Sequence, residues 1–385
     1  MREPSSRLSR QPFANAWFFP AAALYAALIL PWSVLGLLGL LPTPPGLATS
    51  YGHAHELLFG FALAVIAGYL LGPQPPRLTL ALLASWALAR LGWLFWPGGW
   101  LALLGAALFA SALAWKVVPR FAGAAKKWRN QSVAPLIIVL GLASVLGSFD
   151  PQVLPSPRLL QGTLLALATL LFFMGGRIIA PALAGHAQSQ GWTLQARVQP
   201  RLEGAGLILF GTALIALLAA WEHVAGILLL AAGALTGTRL LRWMPWRHWR
   251  RADLVVLLLG YAWLALGLLL FGATVLSDAL PLTAALHGIT TGALGTLTLA
   301  VMARTRLLYR LRNANARPWI HPVAGLISLA ALARLLPSLL GVDPRPWLLL
   351  AVGCWSLAYM MLTVLLWQAR GNFSHPSDTR PARHA

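Results

Sequence analysis

The sequence predicts an all-α, polytopic integral membrane protein with about twelve transmembrane helices and both termini in the cytoplasm. Hydrophobic residues make up 58% of its 385 residues, and charged residues only 10%, where a soluble domain has about 25%. The apolar residues are grouped in runs of the length that a helix needs to cross a bilayer. This composition excludes a cytosolic enzyme and a disordered chain, and the single cysteine excludes a disulfide-rich secreted protein.

Twelve apolar runs follow one another with no long polar segment between them. We therefore predict a single membrane domain over 1–385, with a twelve-helix bundle over 17–368. A cytoplasmic tail is predicted over 1–16, and a disordered cytoplasmic tail over 369–385. The sixth run is predicted to end near residue 176 or a little beyond it. The first run begins too late and lacks the cleavage pattern of a signal peptide, so we interpret it as a retained helix.

The basic residues predict the orientation of the chain. A net charge of +20 would suggest nucleic-acid binding in a soluble protein. An N-terminus in the cytoplasm, however, puts 25 of the 29 lysines and arginines on the cytoplasmic side, as membrane proteins prefer. The opposite loops contain only Arg158 and Arg345. The charge is therefore a topology signal, the lipid bilayer is the expected partner, and no nucleic-acid partner is predicted.

Ionisable side chains within the apolar runs are the main functional candidates, because they are costly inside a bilayer. Neutral imidazoles ligate haem iron, copper or zinc, and arginines at the same depth can pair with carboxylates, including haem propionates. Scattered interfacial histidines and structural arginines are the competing interpretation. Seven such residues fall in the predicted outer half of the membrane: His53, His55, Glu56, Arg90, His223, His287 and Arg334.

The spacing of the first two histidines limits what they can do together. Residues two apart face different ways on a helix, so His53 and His55 can share one ion only if His53 lies in the preceding loop. Otherwise they serve different centres. Glu56 could orient a ligand or pass a proton. Arg177 is predicted at the inner end of the sixth helix, where a side chain extended to the membrane surface is the simpler explanation.

Five stretches that span most of the chain resemble signature segments of a known family. They comprise residues 52–71, 90–93, 173–179, 260–264 and 287–304. These segments are similar to those of the NnrS family, bacterial membrane proteins linked to nitric oxide stress and regarded as binding haem and copper.

The resemblance implies specific cofactors, residues and partners. Haem is the expected cofactor and copper the second candidate. The implied metal ligands are His53, His55 and His287, with His223 added on position alone. Arg90 and Arg177 lie in matching motifs and would contact the cofactor. Glu56 would support a proton or a ligand, and so would Arg334, which has only its position in the membrane to recommend it and matches no family motif. The implied location is the bacterial inner membrane, and the implied partners are nitric oxide or a related small ligand and an unidentified electron donor.

The chain also departs from the family pattern. Residues 72–75 replace an Asn-Trp-Thr-Gly stretch, and residues 313–318 replace a histidine-containing motif. Ser148 and Leu258 stand where other members carry histidines. If those histidines bind a centre, this member carries fewer metals than its relatives.

Three functions follow from these observations. The first is a haem-binding membrane protein, with copper as a second candidate metal, that limits nitrosative damage by turnover, sensing or metal delivery. Enzyme activity stays open. The second is a secondary transporter, because twelve helices with both ends inside are common among carriers and Arg90 and Arg334 could meet an anionic solute. Against it, the charges lie towards one face and not at the midplane. The third, a haem-copper oxidase relative, lacks the full histidine set and stays an analogy.

Overall fold

The computed structural model describes residues 12–124, 131–149, 157–277 and 280–369. Within these residues the chain forms twelve helices and no β-strand, so the predicted all-α fold is confirmed. The helices are α1 (Asn15–Leu37), α2 (Ser50–Leu70), α3 (Pro76–Phe95), α4 (Trp100–Ala124), α5 (Val133–Gly147), α6 (Pro157–Ser189), α7 (Pro200–Leu218), α8 (Glu222–Arg242), α9 (Ala252–Ser277), α10 (Leu282–Leu311), α11 (Ile320–Leu340) and α12 (Pro344–Gln368).

The helices follow the twelve predicted apolar runs in order. Among the described residues, 11 helices are long and apolar enough to cross a membrane. The exception is α5, whose 15 residues extend about 22 Å at the rise of an α-helix, less than the hydrocarbon core of a typical bilayer. The predicted orientation stays a prediction. Most of the two predicted tails, residues 1–11 and 370–385, lies outside the described residues.

α6 is longer than the sequence predicts. The predicted run ends near residue 176 or a little beyond it, whereas the helix continues to Ser189. The residues after Arg177 are again mainly apolar, and the guanidinium contacts the Phe173 ring at 4.8 Å and the Glu203 carboxylate at 3.5 Å. The prediction that Arg177 marks the inner end of this helix is therefore wrong, because one charged side chain with these neighbours does not end the helix.

The two most enclosed helices are α2 and α10. In each, 83% of the residues in the most apolar stretch are buried. Each also changes from α to π geometry directly after a histidine. The π segment of α2, Glu56–Ala62, follows His55, and that of α10, Gly288–Gly295, follows His287. Single π turns inside α-helices occur frequently at functional sites.

Two glycines bring α10 close to α9. A β-carbon added to Gly267 would lie 2.7 Å from the carbonyl carbon of Gly288, and one added to Gly288 would lie 2.9 Å from the Cα of Gly267. Small residues of this kind allow helix backbones in membranes to approach closely. The contact therefore fixes the position of α10 at the residue after His287.

The first and last helices lie side by side. The Trp355 indole of α12 donates to the carbonyl of Ala26 at 2.9 Å. At one end of the pair, the buried guanidinium of Arg306 donates to Asn15 Oδ1 at 2.9 Å and to the carbonyl of Ala369 at 2.5 Å. α10 thus ties the start of α1 to the end of α12.

The close contact between α9 and α10 predicts that replacing Gly267 destabilises the protein more than replacing a glycine that faces open space. Gly267→Val should lower the free energy of unfolding by about 1–3 kcal/mol, because the added side chain must push the two backbones apart. Gly211→Val is the matched control, since a β-carbon at this position in α7 meets nothing within 4 Å. Thermal unfolding of the two variants in detergent makes the comparison, and equal midpoints would contradict the close contact.

Candidate functional site

A largely apolar cavity of about 460 Å³ lies between α1, α2, α6, α10, α11 and α12. Its wall carries two imidazoles and one guanidinium, from His53, His287 and Arg334. A smaller adjoining cavity is lined by the same three residues and extends to Trp355 of α12. Apolar cavities of this size with a few converging polar groups are the usual form of ligand-binding sites.

The ring of His53 is held by a serine of the neighbouring helix. The Ser33 hydroxyl donates to the carbonyl of Leu30 at 2.6 Å, and its oxygen lies 2.6 Å from His53 Nδ1. Because the hydroxyl has only one hydrogen to donate, His53 Nδ1 must carry the proton of the second bond. The lone pair of the ring is therefore on Nε2.

The ring of His287 is held in an equivalent way within α10. Its Nδ1 donates to the backbone carbonyl of Thr283, one helical turn earlier, and a carbonyl can only accept. The lone pair of His287 is therefore also on Nε2. A ring nitrogen left free in this way, with the other nitrogen hydrogen-bonded to the protein, is the usual state of a metal-binding histidine.

Arg334 is the charged group of the cavity. Its side chain is half-buried on α11. Among the residues that the structure describes, the carboxylate partners of arginines are Glu56, Glu203, Glu222 and Asp253, and none of them pairs with Arg334. A guanidinium in an apolar wall without a carboxylate partner favours an anionic group on whatever fills the cavity.

His55 belongs to a separate, fully buried cluster. Its Nδ1 lies 2.7 Å from Glu56 Oε1, and the same carboxylate oxygen accepts from Arg90 at 2.7 Å. The Tyr25 hydroxyl of α1 donates to the other oxygen, Oε2. The carboxylate thus binds donors from three helices, α1, α2 and α3.

The other nitrogen of His55 has no polar partner. The ring stacks on the Trp93 indole, with centroids 3.6 Å apart and planes inclined by 16°. Its Nε2 is buried and unpaired among the described residues. His55 is absent from the walls of both cavities that His53 lines. Both histidines are helical, so the condition for sharing one ion, with His53 in the preceding loop, is not met.

Comparison with known families gives the chain its assignment. The family model described as NnrS protein matches residues 8–370, nearly the whole chain. The chain belongs to the NnrS family. The resemblance in the signature segments is thereby confirmed, and membership suggests a membrane protein related to nitric oxide stress. A search of curated proteins finds no match.

Not all of the predicted site residues of this NnrS protein lie together. His53, His287 and Arg334 share the cavity, and His55, Glu56 and Arg90 form the buried cluster. Arg177 pairs with Glu203 on α7, and His223 is exposed near the start of α8. Roles for Arg177 and His223 at a cofactor stay predictions.

Sequence reasoning missed two residues of α1 that orient these groups. Ser33 holds the ring of His53, and Tyr25 bonds to Glu56. A single hydroxyl in an apolar run carries no signal of its partner, because serines in such helices often bond only to their own backbone. Nothing in the sequence therefore distinguished Ser33 and Tyr25 from ordinary residues of α1.

The buried cluster predicts strong coupling between Glu56 and Arg90. Removing one partner of a buried ion pair costs about 3–5 kcal/mol, because a charge is left without a partner. Glu56→Ala should therefore destabilise the protein strongly, and adding Arg90→Leu should restore part of the loss. Chemical unfolding in detergent measures both variants.

The exposed pair of Arg158 and Glu222, 3.5 Å apart, is the control for this cycle. Glu222→Ala should change the free energy of unfolding by less than about 1 kcal/mol, as is usual for surface pairs. If Glu56→Ala were as mild as Glu222→Ala, the cluster would not hold a charge.

Proposed function

We propose that this NnrS protein binds haem in the cavity lined by His53, His287 and Arg334, and protects a bacterial cell against nitric oxide or nitrosative stress from the inner membrane. One observation carries the proposal. Two imidazoles with hydrogen-bonded Nδ1 and free Nε2 line the same apolar cavity as an arginine that has no carboxylate partner among the described residues.

The donor set fits haem. Haem iron needs only one or two axial ligands from the protein, and its propionates are anionic. Protein sites for zinc have three or four ligands, and blue-copper sites at least three. The described residues bring no three His, Cys, Asp or Glu side chains together. Copper, which the family resemblance implies, is not supported by this donor set and is not part of the proposal.

Each residue of the cavity has a separate task. The hydrogen bonds to Nδ1 hold the rings of His53 and His287 and make their free nitrogens better electron donors. Arg334 would neutralise and hold a carboxylate. Apolar side chains such as Leu57 and Leu348 exclude water and favour a small neutral molecule. Haem, when bound, supplies an iron that binds nitric oxide.

Glu56 and Arg90 support this site from outside the cavity. Glu56 lies three residues after His53, one turn along α2. Its bonds to Tyr25 and Arg90 fix α2 against α1 and α3. His53 faces Ser33 of α1, so the same contacts keep the imidazole and its serine in register. Glu56 and Arg90 are therefore positioning residues in this proposal.

The proposed function is tested first by the spectrum of purified protein. Protein from a haem-replete host should contain iron and show a Soret band that shifts when nitric oxide is added. Consumption of nitric oxide only with a reductant would indicate redox turnover, and binding without consumption would indicate sensing. Protein that contains neither iron nor a Soret band would overturn the proposal.

Transport of a small anion is the second candidate, because the guanidinium of Arg334 faces an apolar cavity without a carboxylate partner among the described residues. The two functions differ in metal content. A metal-free protein in liposomes that carries anions, and loses this activity in Arg334→Gln, would favour the transporter.

His287→Ala should remove or shift the Soret band, because the variant lacks one of the two candidate axial ligands. The measurement is an absorption spectrum of protein that elutes as one species in size-exclusion chromatography. His223→Ala is the control, since His223 is exposed and does not line the cavity. A haem-loaded His287→Ala with the wild-type spectrum would exclude His287 as a ligand.

Arg334→Leu should weaken haem retention by about 10- to 100-fold, since a hydrogen bond to a charged group contributes about 1.5–3 kcal/mol. Transfer of haem to an excess of apomyoglobin measures the loss. Arg158→Leu removes an exposed arginine from the same predicted side and should leave the transfer rate unchanged. Equal rates in the two variants would separate Arg334 from haem binding.

A further inference from the structure

A separate pocket lies where the end of α6 meets the loop between α8 and α9, and it shares no lining residue with the cavity that contains His53 and His287. Its volume is about 520 Å³. This pocket, called the arginine pocket below, is lined by His186, Gln190, Trp192, Arg247, Trp249, Arg250 and Arg251.

The arginine pocket contains two positive charges without a carboxylate partner. Arg251 pairs with Asp253 at 3.0 Å and 3.2 Å. Arg247 and Arg250 form no ion pair with a described residue. Each instead contacts an indole face, Arg247 that of Trp192 at 4.8 Å and Arg250 that of Trp249 at 5.0 Å. A stacked guanidinium is partly ordered and keeps its N–H groups free for an anion.

One histidine, His186, lines the arginine pocket and contacts a second histidine that does not. His186 Nδ1 lies 2.9 Å from Nδ1 of His248, which is fully buried. Burial and the neighbouring imidazole of His186 lower the pKa of His248 to about 4. His248 is therefore neutral at pH 7, and the charge of the pocket comes from its arginines.

The surroundings of the arginine pocket are those of a membrane interface. Trp246 and Trp249 are 60% and 68% exposed, and tryptophan is enriched at the level of lipid headgroups. The loop follows the last turn of α8 and precedes the first turn of α9, both apolar helices long enough to cross a membrane. An anion that reaches this pocket at this depth is expected to belong to the bilayer.

We propose that the arginine pocket binds the phosphate of an acidic phospholipid headgroup, with Arg247 and Arg250 as its ligands and Trp249 against the glycerol region. Guanidinium groups bind phosphate oxygens through paired, charge-assisted hydrogen bonds. Basic pockets between transmembrane helices on the cytoplasmic side are known to bind acidic headgroups, and positive-inside topology predicts the cytoplasmic side for this loop. The proposal does not depend on haem binding.

The test compares lipid retention by two double variants. Arg247→Gln/Arg250→Gln removes both proposed ligands. Arg197→Gln/Arg201→Gln removes two exposed arginines from the same predicted side that do not line the pocket. Full-length protein is incubated with mixed micelles of phosphatidylglycerol and phosphatidylcholine, and native mass spectrometry counts the lipid that stays bound.

The wild type and the control variant should retain more phosphatidylglycerol than phosphatidylcholine. The pocket variant should bind it about 10- to 30-fold more weakly, given the contribution of each arginine near an acidic surface. Equal retention by the two double variants would overturn the proposal.

Inorganic phosphate separates the lipid from a soluble ligand. If the headgroup is the ligand, millimolar phosphate should compete weakly and should not by itself raise the unfolding temperature of lipid-free protein. Stabilisation by phosphate alone, lost in the pocket variant and without lipid retention, would assign the pocket to a soluble phosphate and overturn the headgroup assignment.

Discussion

The buried carboxylate of Glu56 is the group on which the packing around the candidate site depends. A carboxylate inside a bilayer is stable only if it is paired and its oxygens accept hydrogen bonds. Here the donors come from three helices, with Tyr25 on α1, His55 on α2 and Arg90 on α3. Moving any of these helices would separate the charge from a donor. Satisfying one charge therefore fixes the relative positions of α1, α2 and α3.

The two histidines of α2 point to different surroundings. His55 turns towards the carboxylate and Trp93, while His53 turns towards Ser33 and the cavity. The π segments of α2 and α10 each begin one residue after a histidine. A π turn adds a residue to the turn and changes which side chains share a face further along the helix. His53 and His287 precede these segments and line one cavity from two helices that are distant in the chain.

Two other buried arginines, Arg239 and Arg306, are stabilised in a different way. Arg239 is buried and donates to the carbonyl of Phe172 at 2.9 Å, and Arg306 donates to Asn15 and to the carbonyl of Ala369. Backbone carbonyls and single polar side chains accept hydrogen bonds from these guanidinium groups, which have no acidic partner among the described residues, in a chain with only 9 acidic residues. Arg247 and Arg250 have only indole faces as described partners, which distinguishes the arginine pocket from these structural arginines.

The sequence alone determined the helices. A chain of this composition crosses the membrane, where every backbone hydrogen bond must be satisfied internally. An apolar run of sufficient length is therefore helical. The signature segments likewise determined the family. The sequence also selected His53, His55, Glu56, Arg90, His287 and Arg334 as candidates, since a charge or imidazole in an apolar run is conspicuous.

Only the tertiary structure decided how these candidates are grouped. His53 shares its cavity with His287 and not with His55, Arg334 lines that cavity, and Arg90 pairs with Glu56. The sequence also did not reveal the roles of Ser33 and Tyr25 or the full length of α6. These relations depend on the rotation of each helix about its axis and on contacts between residues distant in the chain. The pattern of apolar residues does not reveal the rotation of a helix or its distant contacts when the helix is apolar on nearly every side.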